Sequence, residues 1–561
     1  MLCKCGTKCP EGTVFCSNCG SKFEPPVQQP IQPDQPEPPL TPSLPPEPAV
    51  AMPQQNQPPA SSSNSLNPKL IAIIGGALAV IIIAVLAFVF LGGGSGGQFD
   101  MQRGGFTSFF RLEDGWGGDV ETFITDSRGN AFNVNSWLNR SATSLDATRF
   151  AYLTDEGDLY FIHNGNRQRV ARDVSNFVMS LDGSAVVYVT DTDDDDLGTL
   201  VLWQARNGST RVVETSVVHY QISISPDGRT VGFAVLDRND DVEGFFSVNG
   251  RTAESLGRNR IPMVISNSGR FVYYFNESNQ QFRVSHRGDS VRLADSDNLF
   301  GLWFNRDLTE VMFVADGTTF ISERGRERQR ISNNHLVPAL PEFIQTSGMN
   351  VFGVRSFRNI IAESRSDSNM WGWSSTYDLV YIDGSFETNR IARNVIQHEV
   401  SRDGGTVVYL NSQGRLTKLT NVSRTEPTTF EFSTRDEIEE FVMTADGSQI
   451  YFINDFNDLY FIRGTNSPTR VRQDVYTIVM SPNSDTLFFI ADIDRNGIGE
   501  LFTTRRGATA TRVDGAREVS FIRTTATCVF YFSTESGHTG DVFRSNGNAR
   551  FTRILEDVRW W

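Results

Sequence analysis

Three groups of residues in this 561-residue chain have types and spacings that can do chemistry. The first is a run of thiols, Cys3, Cys5, Cys9, Cys16 and Cys19, with Cys528 alone near the other end. Thiols so crowded suit a metal site in a reducing compartment rather than disulfides, because only the unoxidised thiolate binds zinc. The second group is acidic: Asp191-Thr-Asp193-Asp194-Asp195-Asp196, Asp237-Arg-Asn239-Asp240-Asp241 and Asp492-Ile-Asp494-Arg-Asn496-Gly497. In the last, Asp492, Asp494 and Asn496 offer oxygen at alternate positions before a turn glycine, which suits Ca2+, although Thr503 stands where such a loop needs a bidentate Glu. Asp, Asn and Gly are equally the residues of ordinary turns. The third group is Trp371, Trp373 and Tyr377, rings suited to stacking on a sugar, anchoring a partner, or covering the edge of a sheet. Local catalytic motifs are missing: no His-Glu-x-x-His or phosphate-loop spacing occurs, the one Gly-x-Ser-x-Gly match, Gly93 to Gly97, is part of the Gly/Ser linker, and the six His are scattered.

The elements that must hold these groups divide the chain sharply. Fifteen of the 23 prolines fall between Glu24 and Pro68, so residues 24–69 form a Pro/Gln-rich spacer too poor in apolar residues to fold. Residues 70–91, LIAIIGGALAVIIIAVLAFVFL, carry no charge and no polar face, and as a helix they are long enough to span a bilayer core. Lys69 abuts this segment, with Lys22, Lys8 and Lys4 behind it, while a Gly/Ser linker at residues 92–98 follows on the other side. The positive flank and the need of thiols for a reducing cytosol agree. They predict a single-pass protein of the cell membrane, N-terminus cytoplasmic and residues 99–561 extracellular.

Charge narrows the partners. The formal net charge is −15, and the chain is acidic on both sides of the apolar segment. A nucleic-acid partner is therefore not expected, since phosphate contacts need a clustered basic surface. Downstream of Lys69 the cations are 46 Arg and one Lys, Lys418.

Cys5-Gly6, Pro10-Glu11-Gly12 and Phe15-Cys16-Ser17-Asn18-Cys19-Gly20 give residues 1–23 a resemblance to the small zinc-ribbon domains at the N-termini of prokaryotic membrane proteins. The resemblance implies two Cys-x-x-Cys knuckles around one structural zinc, with Gly after each pair. The second knuckle matches; the first is one residue short (Cys3, Cys5) or one long (Cys5, Cys9). Matching Cys5-Gly6 to Cys19-Gly20 favours Cys3, Cys5, Cys16 and Cys19, with Cys9 as the alternative ligand. Such a closed site folds a segment that lacks a core and serves as a cap or as a docking module for a cytosolic protein.

Beyond residue 135 one phrase recurs: SLDGSAVVYVT from Ser180, SPDGRTVGFAV from Ser225, SNSGRFVYYFN from Ser266, SRDGGTVVYLN from Ser401, TADGSQIYFIN from Thr444 and SPNSDTLFFIA from Ser481. Weaker copies begin at Ser144, Phe304, Phe343 and Phe521, most steps lying near 40 residues. Period-two alternation with a turn about every ten residues gives four antiparallel strands per repeat, the make-up of a propeller blade. The Ser225 copy resembles the WD40-like repeats of TolB-type β-propellers. This implies an all-β propeller of about ten four-stranded blades, as one large ring or two smaller ones, with Asp182, Asp227, Asp403 and Asp446 as turn residues rather than catalytic ones. Residues 98–134 are placed to supply a closing strand, and an insertion from Ser364 to Asp378 is expected to project from one face.

The reading that follows is a membrane-anchored surface protein whose propeller binds extracellular protein or glycan. The alternative is a cell-envelope hydrolase or lyase with carboxylates from different blades gathered in the channel, which no local motif would reveal.

Overall fold

The computed structural model describes Thr107–Leu112 and, with short breaks, residues 120–559, all within the compact unit that contains Phe99–Trp561. The proposed ribbon, spacer, membrane segment and linker lie outside the described residues, as do Trp371, Trp373 and Asn496. Among the described residues no helix is long and apolar enough to cross a membrane.

Alternation of apolar and polar residues does what the pattern predicts, and ten four-stranded antiparallel units follow one another among the described residues. In the eighth, Ile438–Met443, Gln449–Asn454, Leu459–Arg463 and Thr469–Arg472 pair in chain order. Two long strands are shared: Ser209–Ile224 ends the second blade and begins the third, and Thr388–Val400 ends the sixth and begins the seventh. Apolar side chains between faces weld neighbours together, as where Tyr451, Ile453, Leu459 and Phe461 meet Val475, Ile478, Leu487 and Phe489. Thr107–Leu112, Val120–Thr125 and Ala131–Asn133 extend the tenth blade. Phe123 packs there on Phe530 and Phe532, whereas Ile124 packs on Phe150 and Tyr152 of the first blade. Residues before the first repeat therefore link the last blade to the first.

The recurring Ser-x-Asp-Gly phrase is a turn that closes on itself. Thr444 Oγ1 donates to Asp446 Oδ1 at 2.7 Å, Ser448 N donates to the same oxygen at 3.0 Å, and Gly447 takes the left-handed φ of +69° that favours glycine. In the turn of the seventh blade, hydrogen bonds from Ser401 and from the Gly405 N–H hold the Asp403 carboxyl below its usual range. The turns also lock blade to blade, with Asp182 N donating to Pro226 O and Arg402 N to Ala445 O. These aspartates are structural, as the repeat implied.

One repeat differs from expectation. The copy at Phe343 is no blade turn: Phe343–Thr346 and Met349–Phe352 form a hairpin whose second strand runs parallel to Leu299–Phe304 of the fifth blade. The sixth blade is instead His335–Pro338, Ile360–Arg365, Tyr377–Ile382 and the start of Thr388–Val400. A short alternating pair of strands has the same period whether it lies in a blade or is inserted between two strands of one.

Candidate functional site on the inner strands of blades six to eight

Each blade begins with its innermost strand, and a second local rule governs how the chain enters it. The residue just before that strand is left-handed at Asp173, Asn259, Asn394, Asp474 and Glu518, with φ between +51° and +57°. Asn and Asp tolerate this region, so the chain can turn sharply from an outer strand to the next inner one. A β-bulge follows at once: the pairing register slips between Val174 and Asn176, Val395 and Gln397, Ile438 and Glu440, and Val475 and Thr477. A bulge re-aims side chains. Here it sends polar groups across to the next blade: Asn176 Nδ2 donates to His219 O at 2.7 Å, and Gln397 Nε2 to Phe441 O at 3.0 Å.

A set of titratable groups gathers about the inner strand of the seventh blade. On its sixth-blade side, the Tyr377 hydroxyl lies 2.7 Å from His398 Nδ1, and Glu363 Oε1 lies 3.9 Å from that nitrogen. Arg365 donates to Glu363 Oε2 from Nη2 at 2.7 Å and from Nε at 3.1 Å, with its guanidinium 5.3 Å from the Tyr377 ring centre. The side chains of Glu363, Arg365 and His398 remain 16, 21 and 13% exposed, so the cluster is lined but not sealed. Burial lowers the His398 pKa against the pull of Glu363, and burial raises that of the Tyr377 phenol. A neutral imidazole hydrogen-bonded to a neutral phenol follows at pH 7, a pair able to hold a hydroxyl or pass a proton.

On the other side of the same strand, Glu399 accepts the Met443 N–H at 2.6 Å. Its carboxyl is pushed up to about 8, chiefly by burial, with the Glu440 charge adding to the rise and the Met443 hydrogen bond opposing it. The residue as a whole is half-buried. Glu440, on the adjacent inner strand, is pushed up to about 7 by burial and by the charge of Glu439. Two neighbouring carboxyls that resist ionisation at neutral pH can donate hydrogen bonds or protons.

The sequence pointed to part of this region only. Tyr377 is in it, paired with His398 and covered by Arg365, and the segment that carries Trp371 and Trp373 joins Arg365 to Tyr377. The three acidic loops do occupy equivalent places, each joining the second strand of its blade to the third. Much of their acid serves the turn itself: Asp193 Oδ1 accepts the N–H groups of Asp195 and Leu197, and Asp237 accepts that of Asp241 while pairing with Arg258. Of the residues suited to calcium, Asp492 is paired with Arg472 at 2.5 Å and Asp494 accepts the Ile498 N–H. Among the described residues no group of three or more His, Cys, Asp or Glu is arranged to hold a metal ion. His398, Glu363, Glu399 and Glu440 escaped notice because they come from three different blades.

No protein-family model matches the chain, and no curated protein matches it. Among solved structures it is similar to the tricorn protease, at 11% identity and a TM-score of 0.27 over 80% of this chain and 58% of that one. It is similar to dipeptidyl peptidase 4 of Porphyromonas gingivalis, at 12% identity and a TM-score of 0.33 over 74% and 59% of the two chains. It is similar too to TolB from Acinetobacter baumannii, at 15% identity and a TM-score of 0.26 over 43% and 65%. The chain thus spans little more than half the length of the two peptidases. Likenesses this distant carry nothing about activity, and the propeller class rests on the strand topology itself.

Proposed function

We propose that the protein is a membrane-tethered surface receptor whose propeller, a circuit of ten blades, binds protein or polysaccharide outside the cell on the face that bears the loops between second and third strands. The part-open cluster of Tyr377, His398, Glu363 and Arg365 carries this reading. It stands where the long aromatic insertion leaves and re-enters the sixth blade, and it offers hydrogen-bonding groups and a ring without a nucleophile beside a base. Residues 70–91 are the anchor in this proposal, and the zinc ribbon held by Cys3, Cys5, Cys16 and Cys19 is a cytosolic cap or dock. The test is retention of fractionated envelope material by the full chain in detergent micelles, with and without calcium, read by mass spectrometry. Saturable retention of one protein or glycan, weakened by Tyr377→Phe with His398→Gln, is expected; no retention sinks the reading.

One observation favours a second reading, an envelope hydrolase or lyase: Glu399 and Glu440 are raised carboxyls on adjacent inner strands, a pairing suited to general acid and base roles. Release of soluble fragments from envelope polymer by the full chain, lost in Glu399→Gln, would establish it.

A further inference from the structure

Three times among the described residues a guanidinium is held between a carboxylate and the face of a ring. Arg472 pairs with Asp492 at 2.5 Å and lies 3.8 Å from the centre of the Phe502 ring. Arg358 pairs with Glu323 at 2.7 Å and lies 3.9 Å from the Phe386 ring, and Arg365 stands likewise between Glu363 and Tyr377. The combination answers both needs of a guanidinium, a bidentate anion at its edge and a π-face above its plane.

On blades eight and nine the same set of partners is presented without a paired cation among the described residues. Phe456 is 66% exposed and Tyr476 is 61% exposed, the two most exposed large apolar side chains among the described residues. They stand together, because Asn457 O accepts the Val475 N–H and so ties the segment after Phe456 to the segment before Tyr476. Neither is loose: Asn454 Oδ1 accepts the N–H groups of Phe456 and Asp458, and Tyr476 occupies the bulge between Val475 and Thr477. Beside them, Glu437 O accepts the Asp455 N–H, and the carboxylates of Glu437, Glu439 and Asp455 are exposed with no ion pair among the described residues. Two arginines of these segments are already committed, Arg470 to Asp458 at 3.2 Å and Arg472 to Asp492. Rigid exposed rings beside unpaired carboxylates mark a docking surface, and the charge excludes an anionic partner.

We propose that Phe456 and Tyr476, with Glu437, Glu439 and Asp455, receive an arginine side chain from a partner polypeptide. The assignment rests on the reading of this face as the recognition face and names the chemistry it selects. The ring faces take the guanidinium plane and the carboxylates its N–H edge, so arginine is preferred to lysine, whose point charge satisfies only the second need.

The probe is a fluorescein-labelled octapeptide with two arginines flanked by leucines, titrated by anisotropy against the full chain in detergent micelles, alongside lysine and glutamate counterparts. Saturable binding of the arginine peptide is expected, several-fold weaker for lysine and absent for glutamate. Phe456→Ala with Tyr476→Ala should weaken it about tenfold. Glu437→Gln with Glu439→Gln should remove most of its salt dependence. All four positions are exposed, and an unchanged unfolding midpoint verifies that the variants fold. Equal binding of the lysine or glutamate peptide, indifference to both variant pairs, or displacement by a neutral oligosaccharide would each overturn the proposal. If patch variants still retain envelope material with wild-type affinity, the arginine site fails while the recognition reading stands; if the wild type retains nothing, the recognition reading fails whatever the peptide does.

Discussion

Glu399 gives the site a measurable signature. Its carboxyl titrates near 8 in the folded chain against an ordinary 4.5, so between those values the folded state holds a proton that the unfolded state has released. Stability must then fall as pH rises from about 4.5 to about 8 and level off beyond it. Taken at face value a shift of that size amounts to roughly 5 kcal/mol, and the solvent still reaching the side chain reduces this to about 2–3 kcal/mol. Replacing Glu399 with Gln keeps an oxygen to accept the Met443 N–H and abolishes the titration. Urea unfolding of wild type and Glu399→Gln at pH 6 and pH 9 provides the test, and the comparison cancels the titrating groups that do not interact with Glu399, leaving Glu399 and its coupling to Glu440. Because pH 6 already lies inside the window, a little over half of that loss falls between pH 6 and pH 9, and the wild type should lose about 1–1.5 kcal/mol more than the variant across the interval. Equal losses would mean that Glu399 is already ionised at pH 6, and the picture of a confined carboxyl pair would go with it.

Other expectations follow from single contacts. A Cβ added at Gly244 in the third blade would lie 1.9 Å from Arg260 O in the fourth, so Gly244→Ala must part the two blades and should lower stability by about 3 kcal/mol. An unchanged melting temperature would show that this interface yields freely. Lys418, buried in the seventh blade, donates from Nζ to Gly447 O of the eighth at 2.7 Å. Lys418→Met leaves that carbonyl unmet and should cost about 2 kcal/mol in urea unfolding, whereas a neutral outcome would make the contact incidental. Elemental analysis of the full chain should find one zinc per molecule, lost in Cys16→Ser with Cys19→Ser; a chain without zinc would remove the ribbon.

The repeats were legible because each blade solves its turn locally. Ser or Thr, then Asp, then Gly build the hydrogen bonds of the turn from residues within five positions of one another, and the strand after it alternates for its own packing. A second local signal went unread although it recurs as openly: Asp173-Val174, Asn394-Val395, Asp474-Val475 and Glu518-Val519 each put a left-handed residue before the inner strand. The inserted hairpin at Phe343 misled for the opposite reason, since it copies the local period without the blade's partners. The site was not legible, because its members meet only through the fold. Glu363 and His398 stand 35 positions apart, and Glu399 and Glu440 stand 41 apart, on strands brought together by packing between blades.

The bulge at the head of the inner strands of the second, seventh, eighth and ninth blades turns a structural repeat into a surface that can differ blade by blade. Val395, Val475 and Val519 are fully buried, so selection on these residues concerns packing. The residue immediately after each valine is released from the ladder and is free of that demand: Ile396 is 39% exposed and Tyr476 61%, and Glu439 stands at the same point of the eighth blade. Ligand preference can therefore change at these positions while the turn and core that hold the blades together stay fixed. It follows that exchanging Ile396, Glu439 and Tyr476 for serine should leave the unfolding midpoint nearly unchanged and abolish binding to this face. A large fall in stability would instead show that the bulge residues serve the fold, and the division between scaffold and recognition surface would not hold.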